Sequence, residues 1–84
     1  MQYKVKVEKR AAKILEKIND PDYGRIKATI LGLGIEPRPV GYKKLKNRKG
    51  FRVRSGVYRV VYDIEDDILM VKVITIGHRK DVYK

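Results

Sequence analysis

The sequence predicts one α+β domain: an N-terminal strand, then a helical hairpin packed on one face of a twisted, mainly antiparallel four-stranded sheet. Two patterns carry this prediction. Apolar and basic side chains alternate over residues 2–7 and again from Phe51 onward, as in strands with one buried face. Between them, apolar side chains recur over residues 9–33 at the spacing of amphipathic helices. A chain of 84 residues can bury one small core, so residues 1–84 are expected to form a single domain.

The first strand and the helical hairpin occupy the N-terminal part of the chain. The apolar side of the strand consists of Tyr3, Val5 and Val7. The first helix begins at Lys9, and its apolar side consists of Ala11, Ile14, Leu15 and Ile18. The second helix carries Tyr23, Ile26, Ile30 and Leu33 at helical spacing. Its start is predicted by Asp20 as N-cap and Pro21 in the first helical position, and its end by Gly34.

Three further strands follow a proline-containing loop and a basic segment. Residues 51–54 alternate, and the turn residues Ser55-Gly56 separate them from a second strand over 57–64. An acidic turn at Glu65-Asp66-Asp67 leads into a long apolar strand over 68–76. Short turns join these strands, so we expect an antiparallel meander with the N-terminal strand added to one side.

Charge is the strongest signal in the composition. With 21 Lys and Arg against 10 Asp and Glu, the chain carries a net charge of +11. This favours a polyanionic partner, either nucleic acid or an acidic protein. The alternative is a basic protein with evenly spread lysines, as in some heat-adapted organisms.

Several classes of protein are disfavoured by the residues that are missing. The chain has no cysteine and one histidine, so we expect neither a disulfide framework nor a metal site, and no cofactor. No apolar run is long enough to span a membrane, and the N-terminus does not resemble a signal peptide. We therefore expect a cytoplasmic protein that does not contact a membrane.

The segment from Gly41 to Gly50 holds the densest basic run and leads directly into the Arg52/Arg54 strand. One interpretation is an electrostatic surface for nucleic-acid phosphates. The other is a mobile hairpin arm or loop with solvated lysines, anchored by Tyr42 and Leu45. On the first interpretation, the nucleic-acid-binding residues are Lys43, Lys44, Lys46, Arg48 and Lys49.

The strand arginines also allow both a structural and an anion-binding interpretation. Arg52 and Arg54 leave one side of their strand together, and Arg59 lies in the next strand between Tyr58 and Val60. These guanidinium groups form either a solvated face or an anion-binding face. Planar guanidinium groups bind phosphate oxygens in pairs and keep their charge, so on the second interpretation a phosphate would suit this face.

The order of elements, the segment KKLK before FRVRSGVYRVVYDI, and the closing GHRKDVY resemble the RelE/ParE superfamily of prokaryotic toxins. The resemblance covers nearly the whole chain and is closer to the RelE branch. It implies a RelE-like fold and cleavage of messenger RNA in the ribosomal A site without a metal. It also implies neutralisation by a small, acidic, RelB-like antitoxin. ParE-type toxins instead inhibit DNA gyrase.

The resemblance also implies which residues act. Arg52 and Arg54 stand where the family often has basic residues facing the RNA, and which of the two is the equivalent stays open. Arg59 matches the strand arginine of the family, and Arg79 and Tyr83 match its closing motif. With one further candidate, the predicted catalytic residues are Arg52, Arg54, Arg59, His78, Arg79 and Tyr83.

The chemistry of RNA cleavage explains why His78 is the further candidate. In metal-free cleavage the 2′-hydroxyl attacks the adjacent phosphate, leaving a cyclic phosphate and a free 5′-hydroxyl. Arginines can stabilise the pentavalent phosphate, but they are poor proton shuttles because their pKa lies above about 12. The base is therefore expected to be His78, or Tyr83 if nearby cations lower its pKa.

Two other functions remain open. One is a gyrase-inhibiting toxin on the same scaffold, which predicts blocked supercoiling and no RNA products. The other is an RNA-binding domain without catalysis, which predicts binding that depends steeply on salt and no toxicity.

Overall fold

A computed structural model describes residues 2–78. The elements in chain order are β1 (Lys4–Val7), α1 (Lys9–Glu16), α2 (Asp22–Ile35), β2 (Lys43–Lys44), β3 (Phe51–Ser55), β4 (Tyr58–Glu65), a 3-10 turn (Asp66–Ile68) and β5 (Met70–His78). The sheet order is β1-β5-β4-β3-β2, with β1 parallel to β5 and the other pairs antiparallel. The predicted α+β class is confirmed.

The sheet has five strands, whereas the sequence predicted four. The additional strand is β2, whose two residues pair with Arg52 and Phe51 of β3. It lies in the basic segment, for which one interpretation of the sequence was a loop or a hairpin arm. Two residues are too few to show a period, and β3 supplies the pairing that makes them a strand.

The helix boundaries follow local chemistry. α2 begins at Asp22, one residue later than predicted, and the Asp20 carboxylate accepts a hydrogen bond from the Gly24 N–H at 3.1 Å. Gly34 lies within the last turn of α2 rather than beyond its end. A Cβ added to Gly34 would lie 3.0 Å from both the Tyr3 carbonyl oxygen and the Val5 Cγ2. This glycine therefore lets α2 approach β1.

Both helices cover the same face of the sheet. Buried side chains of β3, β4 and β5 pack there against Ala11 of α1 and Ile26, Ile30 and Leu33 of α2. Tyr62 is fully buried in this core, and its hydroxyl donates a hydrogen bond of 2.7 Å to the Pro37 carbonyl. Burial raises the pKa of the Tyr62 phenol to about 12.

The Asp66 carboxylate in the acidic turn connects three segments that are distant in the chain. Asp66 accepts one hydrogen bond from the Tyr3 hydroxyl at 2.6 Å and a bidentate pair from Arg38 at 3.3 and 2.9 Å. The hydrogen bonds from Arg38 and, to a smaller extent, from Tyr3 lower the pKa of the Asp66 carboxyl group. The turn that the sequence predicted therefore also connects the residue before β1 to the proline-containing loop.

Neither helix in the described part of the chain has the length and hydrophobicity needed to cross a membrane.

Candidate anion-binding site

A cavity of about 230 Å³ opens on the sheet face opposite the helices, and its lining is almost entirely cationic. We call this surface the arginine face. The lining residues are Gly41, Lys43, Arg52, Arg54 and Arg59.

Strand register brings these cations together. Lys43 is directly opposite Arg52, and Arg54 is directly opposite Arg59. Directly opposed residues project to the same side of a sheet, so β2, β3 and β4 all contribute to one cluster. Arg52, Arg54 and Arg59 therefore lie together on one face of the sheet.

The turn between β3 and β4 sets this register. Ser55 pairs with Tyr58, which leaves a loop of only Gly56 and Val57. Gly56 has a φ of +61°, which a glycine adopts without strain. A slip of one residue would move Arg54 to the helix-covered face, so this turn keeps the cluster together.

Arg59 is the most deeply placed of the four cations, at 7% exposure. Its other cross-strand neighbour is Gly77 of β5, which has no side chain to compete for space on the arginine face. Arg52 is half-buried, and Lys43 and Arg54 are exposed. The cluster thus runs from solvent to a partly desolvated guanidinium, where an anion is held more strongly than in water.

The sequence predicted Lys43 as an RNA-binding residue of the basic run, but not its position beside the arginines, with which it shares the cavity. It gave Gly77 no role. Neither has a local signal, because both depend on cross-strand pairing.

The remaining members of the basic run lie elsewhere. Lys44 pairs with Phe51 and so projects to the side opposite Lys43. Lys44, Arg48 and Lys49 line a second cavity, of about 670 Å³, together with Arg38 and Phe51. Lys49 also forms an ion pair of 3.5 Å with Asp63, and Lys46 is exposed. The run is therefore divided between two surfaces rather than forming one.

His78 is the last described residue of β5, and it is placed apart from the arginines. It is directly opposite Tyr58, with the two rings edge to face at a centroid distance of 5.7 Å. Tyr58 packs against the core, so this pair belongs to the helix-covered face. The other two predicted catalytic residues, Arg79 and Tyr83, lie outside the described residues.

A β-bulge explains the placement of His78. The register of β5 shifts between the partners of Val61 and Tyr62, so Ile74 is passed over. Val73 therefore faces the core, and so does Ile76 three residues later. Without the bulge, simple alternation from Lys72 would place His78 on the arginine face.

Over residues 2–78, no group of three or more histidine and carboxylate side chains is arranged to hold a metal ion. The groups that line the cavity on the arginine face are cations and hydrogen-bond donors, which suit an anion.

Comparison with known proteins agrees with this architecture. The family model described as "ParE toxin of type II toxin-antitoxin system, parDE" matches residues 5–83. The chain is 30% identical to Toxin RelG of Mycobacterium tuberculosis over 86 aligned positions, which cover 100% of this chain and 99% of RelG.

Solved structures are similar as well. The archaeal RelE–RelB complex from Pyrococcus horikoshii matches with a TM-score of 0.84 and 28% identity, covering 96% of this chain and 99% of that one. The RelBE2 toxin–antitoxin complex from Mycobacterium tuberculosis matches with a TM-score of 0.83 and 26% identity, covering 94% of this chain and 100% of that one.

Proposed function

We propose that this chain, which belongs to the RelE/ParE superfamily of type II toxin–antitoxin toxins, is an endoribonuclease that stops translation. It would cut messenger RNA in the ribosomal A site, with the 2′-hydroxyl as nucleophile and a cyclic phosphate as product. Membership of the family and a RelE-like fold are the premise, and the reaction is the proposal.

The single observation that carries the proposal is the cationic cavity on the arginine face. Three guanidinium groups and one ammonium group surround a space of about 230 Å³. A phosphodiester gains negative charge as its 2′-oxygen attacks, so donors arranged around it stabilise the transition state more than the ground state. We assign this role to Arg52, Arg54 and Arg59.

Proton transfer requires another group, because guanidinium groups remain charged at neutral pH. The packing of His78 against Tyr58 supports a structural role for the histidine. We therefore propose that Tyr83 accepts the proton of the 2′-hydroxyl, that Arg79 is a further phosphate ligand, and that a water molecule gives a proton to the leaving 5′-oxygen; both residue assignments come from the family's closing motif. The cationic surroundings would lower the pKa of a phenol placed at the cavity.

The basic residues outside the cavity are proposed to hold the RNA without reading its sequence. Lys44, Arg48 and Lys49 share one surface, and phosphate contacts of this kind give affinity that falls as salt rises. Lys46 is proposed to act with them. Binding to the ribosome would supply the alignment that these contacts lack.

We also propose that a small, acidic, RelB-like antitoxin inhibits the chain. The similar structures from Pyrococcus horikoshii and Mycobacterium tuberculosis are toxin–antitoxin complexes. The charge of +11 on the present chain suits an acidic partner.

Mapping of RNA 5′ ends in a translating extract tests the proposed activity. Wild-type protein should create new 5′-hydroxyl ends within codons. Cleavage of RNA in the absence of ribosomes would refute ribosome dependence. Absence of any cut, with translation intact, would refute the nuclease.

A second candidate is inhibition of DNA gyrase, which the match to the ParE toxin family model favours. The same preparation should then block supercoiling by purified gyrase and leave RNA intact. A third outcome, salt-dependent RNA binding with neither effect, would identify an RNA-binding domain without catalysis.

A further inference from the structure

The second cavity, of about 670 Å³, lies at the tip of the β2–β3 hairpin, and we call it the hairpin-tip cavity. Its volume is in the range of about 300–1,000 Å³ that small-molecule sites occupy. Attraction of RNA phosphates by its cations does not account for the other side chains in its lining. These comprise two carboxylates, an amide and an apolar floor: Asp63, Asp66, Asn47, Leu45, Phe51 and Ile64.

The hairpin tip opens a space beside the end of β4. The Leu45 N–H donates a hydrogen bond of 3.0 Å to the Gly50 carbonyl, which closes the hairpin beyond its two strands. The β3–β4 ladder ends at the pair of Phe51 and Tyr62, so the next residue of β4, Asp63, lies across from Gly50. Glycine has no side chain, and this leaves room for the Asp63 carboxylate in the cavity lining.

The Asp63 carboxylate is shielded from bulk water but can accept further hydrogen bonds. Its side chain is 14% exposed. One oxygen accepts a hydrogen bond of 2.9 Å from the Ile64 N–H, and the other lies 3.5 Å from the Lys49 ammonium group. A carboxylate has about four acceptor positions, so two donors of a ligand can still bind to it. Lys49 is 79% exposed and can turn from Asp63 to a phosphate.

Two flat groups line the same cavity. The Arg38 guanidinium group is held by its bidentate hydrogen bonds to Asp66 and lies 6.0 Å from the centre of the Phe51 ring. Unstacked nucleobases bind to proteins by stacking on aromatic rings and on guanidinium planes. Because Asp66 holds Arg38 in place, this stacking surface is formed before a ligand arrives.

The charges in the lining indicate what kind of ligand fits. Four cations and two carboxylates line the cavity, which leaves an excess of two positive charges. A phosphate monoester carries about two negative charges at neutral pH and matches this excess. A nucleoside would not use the cations, and inorganic phosphate would not use the stacking surface. A nucleotide uses both.

The Asp63 carboxylate favours guanine among the four bases of RNA. An ionised carboxylate accepts hydrogen bonds and donates none. Guanine presents two adjacent donors, N1–H and the N2 amino group, which match the two carboxylate oxygens. Adenine and cytosine have an acceptor nitrogen beside their amino group, and uracil has its one N–H between two carbonyl oxygens. A carboxylate therefore repels part of each of these three bases.

We propose that the hairpin-tip cavity binds a guanine nucleotide. The Asp63 carboxylate accepts the two donors of the base, Arg38 and Phe51 support the base by stacking, and the other three cations bind its phosphate. A free mononucleotide and a nucleotide of RNA share this chemistry. Binding of an RNA nucleotide rests on the proposed function, and it would add selection of a base to the phosphate contacts proposed there.

Calorimetric titration of the wild-type protein provides the test. Guanosine 5′-monophosphate should bind at least about tenfold more tightly than adenosine 5′-monophosphate, guanosine or inorganic phosphate. Amide resonances of residues 44–51 should shift when it binds. Shifts confined to Arg52, Arg54 and Arg59 would place the nucleotide on the arginine face and overturn the proposal.

Variants separate recognition of the base from attraction of the phosphate. Asp63→Asn should abolish the preference for guanosine over adenosine monophosphate, because an amide presents one acceptor and one donor. Asp67→Asn, at an exposed carboxylate outside the cavity lining, should keep the preference. Lys44→Gln, at an exposed lysine, should weaken binding of both nucleotides by about two- to fivefold and leave the preference unchanged.

Short RNA oligonucleotides that differ in one base distinguish the two sources of the nucleotide. Tighter binding of the RNA with guanine, lost in Asp63→Asn, would assign the cavity to RNA. Selective binding of guanosine monophosphate without any selection among the RNAs would assign it to a free nucleotide. Equal binding of both mononucleotides, or of inorganic phosphate as tightly as either, would refute the site.

The nucleotide site and the nuclease can fail separately, because these titrations need no ribosome. If the wild-type protein leaves messenger RNA intact in a translating extract but prefers guanosine monophosphate, the nuclease is refuted and the nucleotide site stands. If the protein cuts messenger RNA and shows no preference for guanine in any titration, the nucleotide site is refuted and the nuclease stands.

Discussion

Arg54 and Arg59 are directly opposite each other in the β3–β4 hairpin, with both guanidinium groups in the lining of one cavity. Like charges in opposed positions destabilise a sheet. An anion between them would convert that repulsion into attraction. The pair is therefore a place where binding and stability are expected to conflict.

Arg54→Gln tests this conflict. Relief of the repulsion should raise the free energy of unfolding by about 0.2–1 kcal/mol in urea denaturation. Inorganic phosphate should stabilise wild-type protein more than the variant, because a ligand that binds the folded state more tightly adds more stability at the same concentration. Arg10→Gln, at an exposed arginine of α1, is the control and should keep the wild-type response. An equal response of Arg54→Gln would contradict an anion site.

Arg59→Lys tests the need for a planar guanidinium. Lysine keeps the charge but cannot donate two parallel hydrogen bonds to one phosphate. We expect single-turnover cleavage in a translating extract to fall by about 10²–10³-fold. Arg10→Lys should cut normally. Full activity of Arg59→Lys, with an unchanged thermal melt, would remove Arg59 from the reaction.

His78→Ala separates structure from catalysis. Loss of the edge-to-face contact with Tyr58 should lower the free energy of unfolding by about 0.5–1.5 kcal/mol. Cleavage measured well below the melting temperature should stay near the wild-type rate, whereas Tyr83→Phe should abolish it. If His78→Ala stops cleavage and Tyr83→Phe does not, the roles are reversed.

Gly34→Ala and Gly32→Ala form a matched pair on α2. Alanine favours a helix over glycine, so Gly32→Ala should stabilise the protein by about 0.5–1 kcal/mol in open space. At Gly34 the added methyl group would press on β1, and we expect a loss of about 1–3 kcal/mol. Urea denaturation measures both. Similar shifts for the two variants would show that α2 and β1 can separate at little cost.

Asp66→Asn should change how stability depends on pH. The hydrogen bonds from Arg38 and Tyr3 make the pKa of Asp66 lower in the folded state than in the unfolded state. The stability that the carboxylate adds is therefore complete above its ordinary pKa of about 4 and disappears as pH falls through the lower folded value. Wild-type protein should be more stable than Asp66→Asn at neutral pH, and the difference should shrink in acid. Asp67→Asn is the control, and a constant difference for Asp66→Asn would contradict the linkage.

Local patterns were enough to predict much of the site. Alternation in β3 places Arg52 and Arg54 on one side, and the turn at Gly56 explains why Arg59 joins them. These features depend on near neighbours in the chain, where strand parity and turn chemistry are reliable guides.

What the sequence could not predict depends on pairing between distant segments. Lys43 joins the arginines only because β3 makes a strand of it. His78 leaves the arginine face only because one residue of β5 is passed over in the ladder. A single bulge moves every later side chain of the strand to the opposite face of the sheet. No residue type near Ile74 predicts the bulge.

The parallel pairing of β1 with β5 has a consequence for synthesis. A chain leaves the ribosome from its N-terminus, so β1 emerges first and its partner is the last of the described strands to follow. Until then, β4 has an unpaired edge and α1 has no strand beneath it. We expect the nascent chain to stay unfolded, and so without an assembled arginine face, until β5 is free to insert between β1 and β4.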